Sequence, residues 1–295
     1  MKQTLCIQNP ANVRVKASSV VLSSGDDHMT IPLEDLWVII LETHRASISS
    51  AALSAIVDHG IGVIICGKNH MPDGLLLPIG AHSRHAEIVE RQLAMPKPLK
   101  KQLWKRIVEA KIRNQARVLQ LEGMDFECVA SLASEVKSDD STNREAVAAS
   151  LYFSRIIDQG TRRNGPYSEP LDYGYSVLRA GVGRTAVAGG WLVSRGIHHN
   201  SKLNAFNLVD DLIEPFRPVV DLLIIEEGIK EPMSNMDRTV LARVLECCVM
   251  IDGEKRSLQT AITLMLESLK DAVNRNDPTL LKVPCIERYE KVSVE

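Results

Sequence analysis

The spacing of apolar and polar positions changes once along this chain. In roughly the first eighty residues the apolar positions come in short runs rich in β-branched side chains: "TLCIQ", "NVRVKA", "SVVLSS", "HMTIPL" and "LWVIIL". Turn residues such as Asn9-Pro10 and Gly25-Asp26-Asp27 separate them, which predicts a series of short strands. "SISSAALSAIVDHG" then reads as one short helix, with serines to cap its start and Gly60 to end it. "IGVIIC" predicts a buried strand, "GKNHMPDG" a turn and "LLLPI" a further extended run. So few short strands bury too little surface to be stable alone, so their sheets are expected to pack on something else, a second copy of the chain included.

From about Arg84 onward the period is helical and β signals are few. "PLKKQLWKRIVEAKIRNQARVLQLEG" is the clearest helix, with Pro98 near its start and Gly123 at its end. Leu103, Ile107, Val108 and Leu119 belong to its buried side, whereas Lys101, Lys105, Glu109, Arg113 and Arg117 follow one another at i+4 steps and share a face. The expected fold class is α+β: a small N-terminal β-rich, sandwich-like domain over residues 1–80, then a larger all-helical C-terminal domain over residues 81–295. No internal repeat or low-complexity tract interrupts this plan.

Composition adds a compartment and a charge asymmetry. With 45% hydrophobic, 24% charged and only 4% aromatic residues, the chain is an ordinary globular one whose core is built from Leu, Ile, Val and Ala. No apolar run approaches bilayer-spanning length, and "MKQTLCIQNPANVRV" lacks the apolar stretch of a signal peptide. The six cysteines form no C-x-x-C pair and read as buried free thiols of a reducing, cytoplasmic setting. The net charge of -2 hides a basic stretch: Arg84 to Arg117 holds ten Lys and Arg against three Glu, so the remainder carries a deficit of nine. Such a stretch suits a polyanion, although a Lys/Arg stripe on a helix is equally a solvated face.

The chemistry-bearing segment is "GIHHNSKLNAFNLVDDLIEPFRPVVD", Gly196 to Asp221. Glu214 stands three residues after Asp211 and four after Asp210, so either pair can share a helical face. Pro215 disfavours α geometry at Glu214 and predicts a kink that would aim this carboxylate inward. Taken alone, the acids read more simply as solvated groups where an element ends. Of the adjacent His198 and His199 at most one can serve the same site, and an imidazole with carboxylates suits Mg or Mn better than Zn. A third acid is available in "STNREAVAASLYFSRIID", where Ser141 or Thr142 can cap and Glu145 falls in the first turn, ahead of an Ala148, Ala149, Tyr152, Phe153, Ile156 stripe. The helix dipole alone explains an acid there. "GVGRTAVAGG" lacks the third glycine of a dinucleotide fingerprint, so its small residues are assigned to close helix packing.

Taken together, these segments resemble a known family, the CRISPR-associated integrases that acquire new spacers. "LWKRIVEAKIRNQARVL" looks like that family's first long helix, "NREAVAASLYF" like the helix bearing its metal-binding glutamate, and "TRRNGPYSEPLDYGYSVLRAGVGRTAVAGG" like its loop-and-helix signature. "GIHHNSKLNAFNLVDDLIEPFRPVVD" closely resembles its histidine-to-acid signature, and "HGIGVIICGKNHMPDGLLLP" its N-terminal domain. The resemblance covers nearly the whole chain. It implies Glu145, His199 and Glu214 as catalytic, metal-holding residues, with Asp211 as a secondary acid and Mg2+ or Mn2+ as the ion. One departure is Asp172, where the family usually has Asn before Tyr-Gly-Tyr. The similarity of "DDLIEPFRP" to members linked with RNA-guided effector nucleases implies a type II system.

The activity so implied is insertion of short DNA fragments into a CRISPR repeat array, a 3′-hydroxyl attacking a phosphodiester. Lys101, Lys105, Arg113, Arg117, Arg162 and Arg163 are the candidate phosphate contacts on double-stranded DNA. The family's homodimer through its β-rich domains, two dimers bridged by a small companion adaptation protein, and no membrane are the partners implied. Two alternatives remain at this point: a metal-dependent nuclease that cuts without joining, and a DNA-binding scaffold with no live site.

Overall fold

Eight of the expected short segments become the strands and first helix of a two-sheet unit. The computed structural model describes residues 2–25, 27–78, 82–157 and 161–288. The expected boundary between residues 80 and 81, Asp26 of the first turn and Ile79 of "LLLPI" lie outside the described residues. The strands are β1 (Gln3–Ile7), β2 (Ala11–Lys16), β3 (Ser19–Ser24), β4 (Asp27–Pro32), β5 (Leu36–Leu41), β6 (Ala46–Ile48), β7 (Gly62–Cys66) and β8 (Pro72–Leu76), with helix α1 (Ser50–Asp58) before β7. One sheet has the order β1-β5-β7-β8 and the other β4-β3-β2-β6. Strand β6 was not anticipated, and β8 begins inside the segment expected to be a turn.

Alternation along β5 and β7 explains how this unit is supported. Leu36, Ile39 and Val63 point into a cluster shared with Val13 and Val20 of the other sheet and Ile56 of α1. Val38, Ile40 and Ile64 alternate with them and point the opposite way, into the core of the helical region, where Trp37 joins them from a bulge opposite Gln3 and Thr4. The first sheet is therefore covered on both faces, the second by this chain's own helices.

The helical region comprises α2 (His85–Leu93), α3 (Lys97–Leu121), α4 (Glu127–Glu135), α5 (Arg144–Ile156), α6 (Ser168–Ala188), α7 (Asn207–Leu212), α8 (Arg217–Glu226), α9 (Asn235–Ala242) and α10 (Leu258–Arg275). It is not wholly helical: β9 (Cys248–Ile251) and β10 (Glu254–Ser257) form an antiparallel hairpin. Among the described residues no helix is long and apolar enough to cross a membrane. The long helix α3 runs through the core, with Leu103, Ile107, Val108 and Leu119 fully buried as expected. In α6 a Cβ on Gly181 would lie 2.7 Å from Leu245 and 3.1 Å from Trp37, so the small residues do serve close packing. All six thiols are free, but only Cys66 and Cys247 are buried; Cys6 and Cys248 are half-buried, and Cys128 and Cys285 are exposed because their helix face and tail segment border solvent.

Where α5, α6 and α8 meet, buried Asp221 accepts hydrogen bonds from the Tyr152 and Tyr175 hydroxyls at 2.9 and 2.5 Å. Burial pushes its carboxyl from 3.8 up to about 6, the two hydroxyls partly opposing the rise. Between these values the folded state binds a proton that the unfolded state has released, so this group's contribution to stability falls as pH rises through the window. Asp221→Asn is expected to remove that decline, about 3 kcal/mol across the window. Urea unfolding of both proteins at the two ends of the window measures it; parallel pH dependences would refute it.

Candidate active site

The site forms around a lysine. Lys111 falls in phase with Leu103 and Ile107 on the buried side of α3, and its side chain is only 11% exposed. Its Nζ lies 2.6 Å from Glu145 Oε1 and 2.5 Å from Glu214 Oε2. Burial opposes the charged ammonium, but the two carboxylates more than offset this and raise its pKa. Arg217 adds a second cation, its Nε 2.9 Å from the other Glu214 oxygen. Burial pushes Glu214 up, Lys111 and Arg217 pull it down, and the net effect is a lowered pKa.

Each glutamate is aimed by its local backbone. Helix α5 is not capped by Ser141 or Thr142 as expected. Asp139, Asp140 and Asn143 take positive φ, and the turn they make brings the Asp140 carboxylate beneath the helix start, where it accepts from Arg144 N at 2.8 Å and Glu145 N at 3.0 Å. That fixes Glu145 in the first turn, facing α3. At the second glutamate, the kink expected from Pro215 is present: α7 ends at Leu212, Glu214–Phe216 form a short 3-10 turn, and α8 begins at Arg217. The break turns Glu214 into the interior, with its side chain 7% exposed.

The histidine is held by Asp211. This carboxylate is fully buried and accepts four hydrogen bonds: Ile197 N at 2.5 Å and His198 N at 3.0 Å on Oδ2, His199 N at 3.0 Å and His199 Nδ1 at 2.7 Å on Oδ1. Gly196 makes the fold-back possible, since a Cβ there would collide with the His199 carbonyl and lie 2.6 Å from Asp211 Oδ2. The bond to Asp211 raises the His199 pKa against the opposing effect of burial, and Glu214 contributes to the rise. His198 turns the other way and stacks on Trp104, ring centroids 4.3 Å apart and 5° from parallel. Asp210 also turns away, paired with Arg179 at 2.6 Å, so it has the plain structural role.

Among the described residues no three His, Cys, Asp or Glu side chains converge closely enough to hold an ion as they stand. The donor set nevertheless fits a hard divalent cation. Two carboxylates from different helices already converge on one positive atom, Glu214 Oε2 is buried without a directed hydrogen bond, and His199 keeps Nε2 free because Asp211 holds Nδ1. Asp211 itself has both oxygens committed to the histidine loop, so the structure places it behind His199 rather than beside the glutamates.

The candidate phosphate contacts are mostly engaged with other groups. Lys101 pairs with Asp139 at 3.4 Å, Lys105 and Arg113 both with Glu109 at 3.6 and 3.3 Å, and Arg162 with Asp172 at 2.7 Å. Arg117 is bound to the Glu287 carbonyl and Gln120, and Arg163 is exposed. A different group of cations, not apparent from the charge pattern, lies beside His199. Lys100, Arg195 and Lys202 line a cleft of about 500 Å³ that also contains His199, and none of the three has an ion-pair partner among the described residues. The departure at Asp172 is accounted for by its pairing with Arg162.

Comparison with known proteins bears on this geometry. The profile of the family described as CRISPR associated protein Cas1 matches residues 5–237. A CRISPR-associated endonuclease Cas1 of Neisseria meningitidis serogroup C (strain 8013) is 38% identical over 290 residues, which is 96% of this chain and 95% of that protein. Among solved structures, a casposase bound to integration product superposes with a TM-score of 0.76 at 20% identity, covering 95% of this chain and 93% of that one. A Cas6-RT-Cas1–Cas2 complex superposes with a TM-score of 0.73 at 16% identity, covering 98% of this chain and 36% of that one. These two share the fold. With the family profile spanning most of its length and the meningococcal relative aligned almost throughout, this chain belongs to the Cas1 family of CRISPR-associated proteins.

Proposed function

We propose that this protein is a divalent-metal-dependent DNA integrase and endonuclease that inserts short DNA fragments into a CRISPR repeat array. The observation that carries the reading is the convergence of Glu145 and Glu214 on one cationic atom, in a site where His199 is oriented by a buried carboxylate. The endonuclease name of the meningococcal relative and the integration product bound by the casposase support it.

In this reading Glu145, Glu214 and His199 Nε2 hold Mg2+ or Mn2+. When bound, the ion supplies charge stabilisation at a phosphodiester. Asp211 fixes the imidazole tautomer so that Nε2 carries the lone pair. Lys111 and Arg217 keep Glu214 ionised, and Lys111 holds both glutamates in place. The 3′-hydroxyl of the incoming fragment attacks phosphorus in line as the repeat's own 3′-oxygen leaves. One P–O bond forms and one breaks, so no nucleotide hydrolysis is needed and rate comes from positioning and electrostatics. The assembly that goes with this activity is a homodimer through residues 1–80, two dimers bridged by a small companion protein, in the cytoplasm, within a type II system. The Cas1–Cas2 complex among the structural neighbours supports the companion.

The test incubates a labelled short duplex with supercoiled repeat-bearing plasmid and Mg2+ or Mn2+. Joined product is expected, and Glu145→Gln and His199→Ala are each expected to lower it by about 10³-fold or more. Nicked plasmid without joined product would leave a nuclease that uses water as nucleophile. Undiminished joining in both variants would remove the site assignment.

A further inference from the structure

The turn following His199 carries a leucine that is 99% exposed, Leu203. A single exposed aliphatic side chain is ordinary on a protein surface. Its setting is not. The turn is braced from below by Asn207, itself buried, whose side-chain nitrogen donates to the carbonyls of Ser194, Ser201 and Asn204 at 3.0, 2.9 and 3.0 Å while its oxygen accepts from Ser201 N at 3.2 Å. Asn204 is tied in turn to Asp210 at 2.6 Å and accepts from Phe206 N at 2.9 Å. Leu203 is thus presented to solvent by a turn whose polar groups are bonded inward. An apolar tip held in that way is built to be covered.

What covers it follows from its neighbours. Ser201, Lys202 and Asn204, on either side of Leu203, line the cleft of about 500 Å³ that contains His199. Lys100, Arg195 and Lys202, without ion-pair partners among the described residues, make that cleft a place for phosphates. An apolar wedge beside phosphate-binding cations has a known physical use: the wedge enters between neighbouring bases, unstacks them and bends the strand. We infer that Leu203 is a positioning residue that wedges into the base stack beside the reacting phosphodiester, while Lys100, Arg195 and Lys202 grip the flanking phosphates of duplex DNA. This rests on the DNA-acting reading above and adds the mode of substrate distortion. The loose cations favour DNA over a second copy of the chain as the occupant.

The probe is a branched duplex carrying 2-aminopurine at the base beside the branch, mixed with the full-length protein without divalent ion so that no chemistry follows. The unsubstituted protein is expected to raise the fluorescence several-fold. Leu203→Ala is expected to abolish the rise while leaving DNA affinity within about threefold and the thermal midpoint unchanged, since wedging spends binding energy on unstacking. Leu203→Phe is expected to retain the rise, and joining by Leu203→Ala to fall about tenfold or more. An equal rise with Leu203→Ala overturns the wedge and leaves the DNA-acting reading standing. Dissociation of a dimer by Leu203→Ala in light scattering, with the rise intact, would assign the residue to a contact between copies and also overturns it. No DNA binding by the unsubstituted protein overturns the reading beneath and this inference with it.

Discussion

Lys111→Met lowers the unfolding free energy by about 3–5 kcal/mol near pH 8, the cost of breaking a buried charge cluster by removing one partner. The lysine side chain is 11% exposed and Glu214 7%, so solvent does not take over when the ammonium is gone. Glu214 retains Arg217, but Glu145 loses its ion pair altogether. The loss depends on pH, and its sign follows from Glu214. In the unsubstituted protein the folded pKa lies below the usual 4.5, so the stabilising contribution is in place above that value and fades only as pH falls through the lowered one. Without Lys111 the effect of burial is opposed by less positive charge, and the folded pKa moves upward. The variant then takes up a proton on Glu214 at a higher pH than the unsubstituted protein does, which relieves the buried charge. The stability gap between the two proteins is therefore widest near pH 8 and narrows toward pH 5. Urea titrations at both values decide the matter; a gap under about 1 kcal/mol, or one independent of pH, would show that the ammonium does not hold the glutamates.

Lys111 also marks the limit of what the residues disclosed by themselves. The period along α3 was legible, and it puts a lysine in the same phase as Leu103 and Ile107. A cation in a core phase is a signal of a buried acidic partner, one masked in the residue pattern by the Lys/Arg stripe on the neighbouring face. The break at Pro215 was readable because proline acts locally on the residue before it. The cap on α5 was not readable: Asp and Asn do favour positive φ, but nothing local says that Asp139, Asp140 and Asn143 would all adopt it and bring the Asp140 carboxylate under the helix start. The hairpin of β9 and β10 could have been read: Asp252-Gly253 is a two-residue turn with φ of 55° and 77°, flanked by alternating residues. The two sheets were visible in their alternation, but that alternation cannot say which of two buried faces meets which partner. The pairing of the candidate phosphate contacts was illegible for a related reason. A count of charges along a segment does not reveal which of them are already neutralised by acids from elsewhere in the chain, as Lys101 is by Asp139.

The same distinction, between an acid that meets the substrate site and one that holds the scaffold, decides the outcome at Asp211. Asp211→Ala leaves the N–H groups of Ile197, His198 and His199 without their acceptor and frees the His199 ring. Losing so many bonds to a buried carboxylate costs about 3–5 kcal/mol, given about 1–3 kcal/mol for each stranded buried donor and some relaxation of the loop. Asp211→Asn is no milder, because an amide nitrogen would face the backbone N–H groups of Ile197 and His198, donor against donor. Joining and cleavage by either variant fall by about 10–100-fold, the size of effect expected when the group behind a metal-holding histidine is removed. The neighbouring Asp210→Asn is the control: it weakens the bonds from Arg179 and Asn204 but leaves all four bonds between Asp211 and the histidine loop in place, so joining falls far less than in either Asp211 variant. Activity assays with a urea titration of each variant separate the cases. If Asp211 held the ion directly, its loss would match the roughly 10³-fold expected for Glu145→Gln, and excess metal would not restore it. A smaller loss, partly recovered by raising the metal concentration, is what a carboxylate acting through His199 produces.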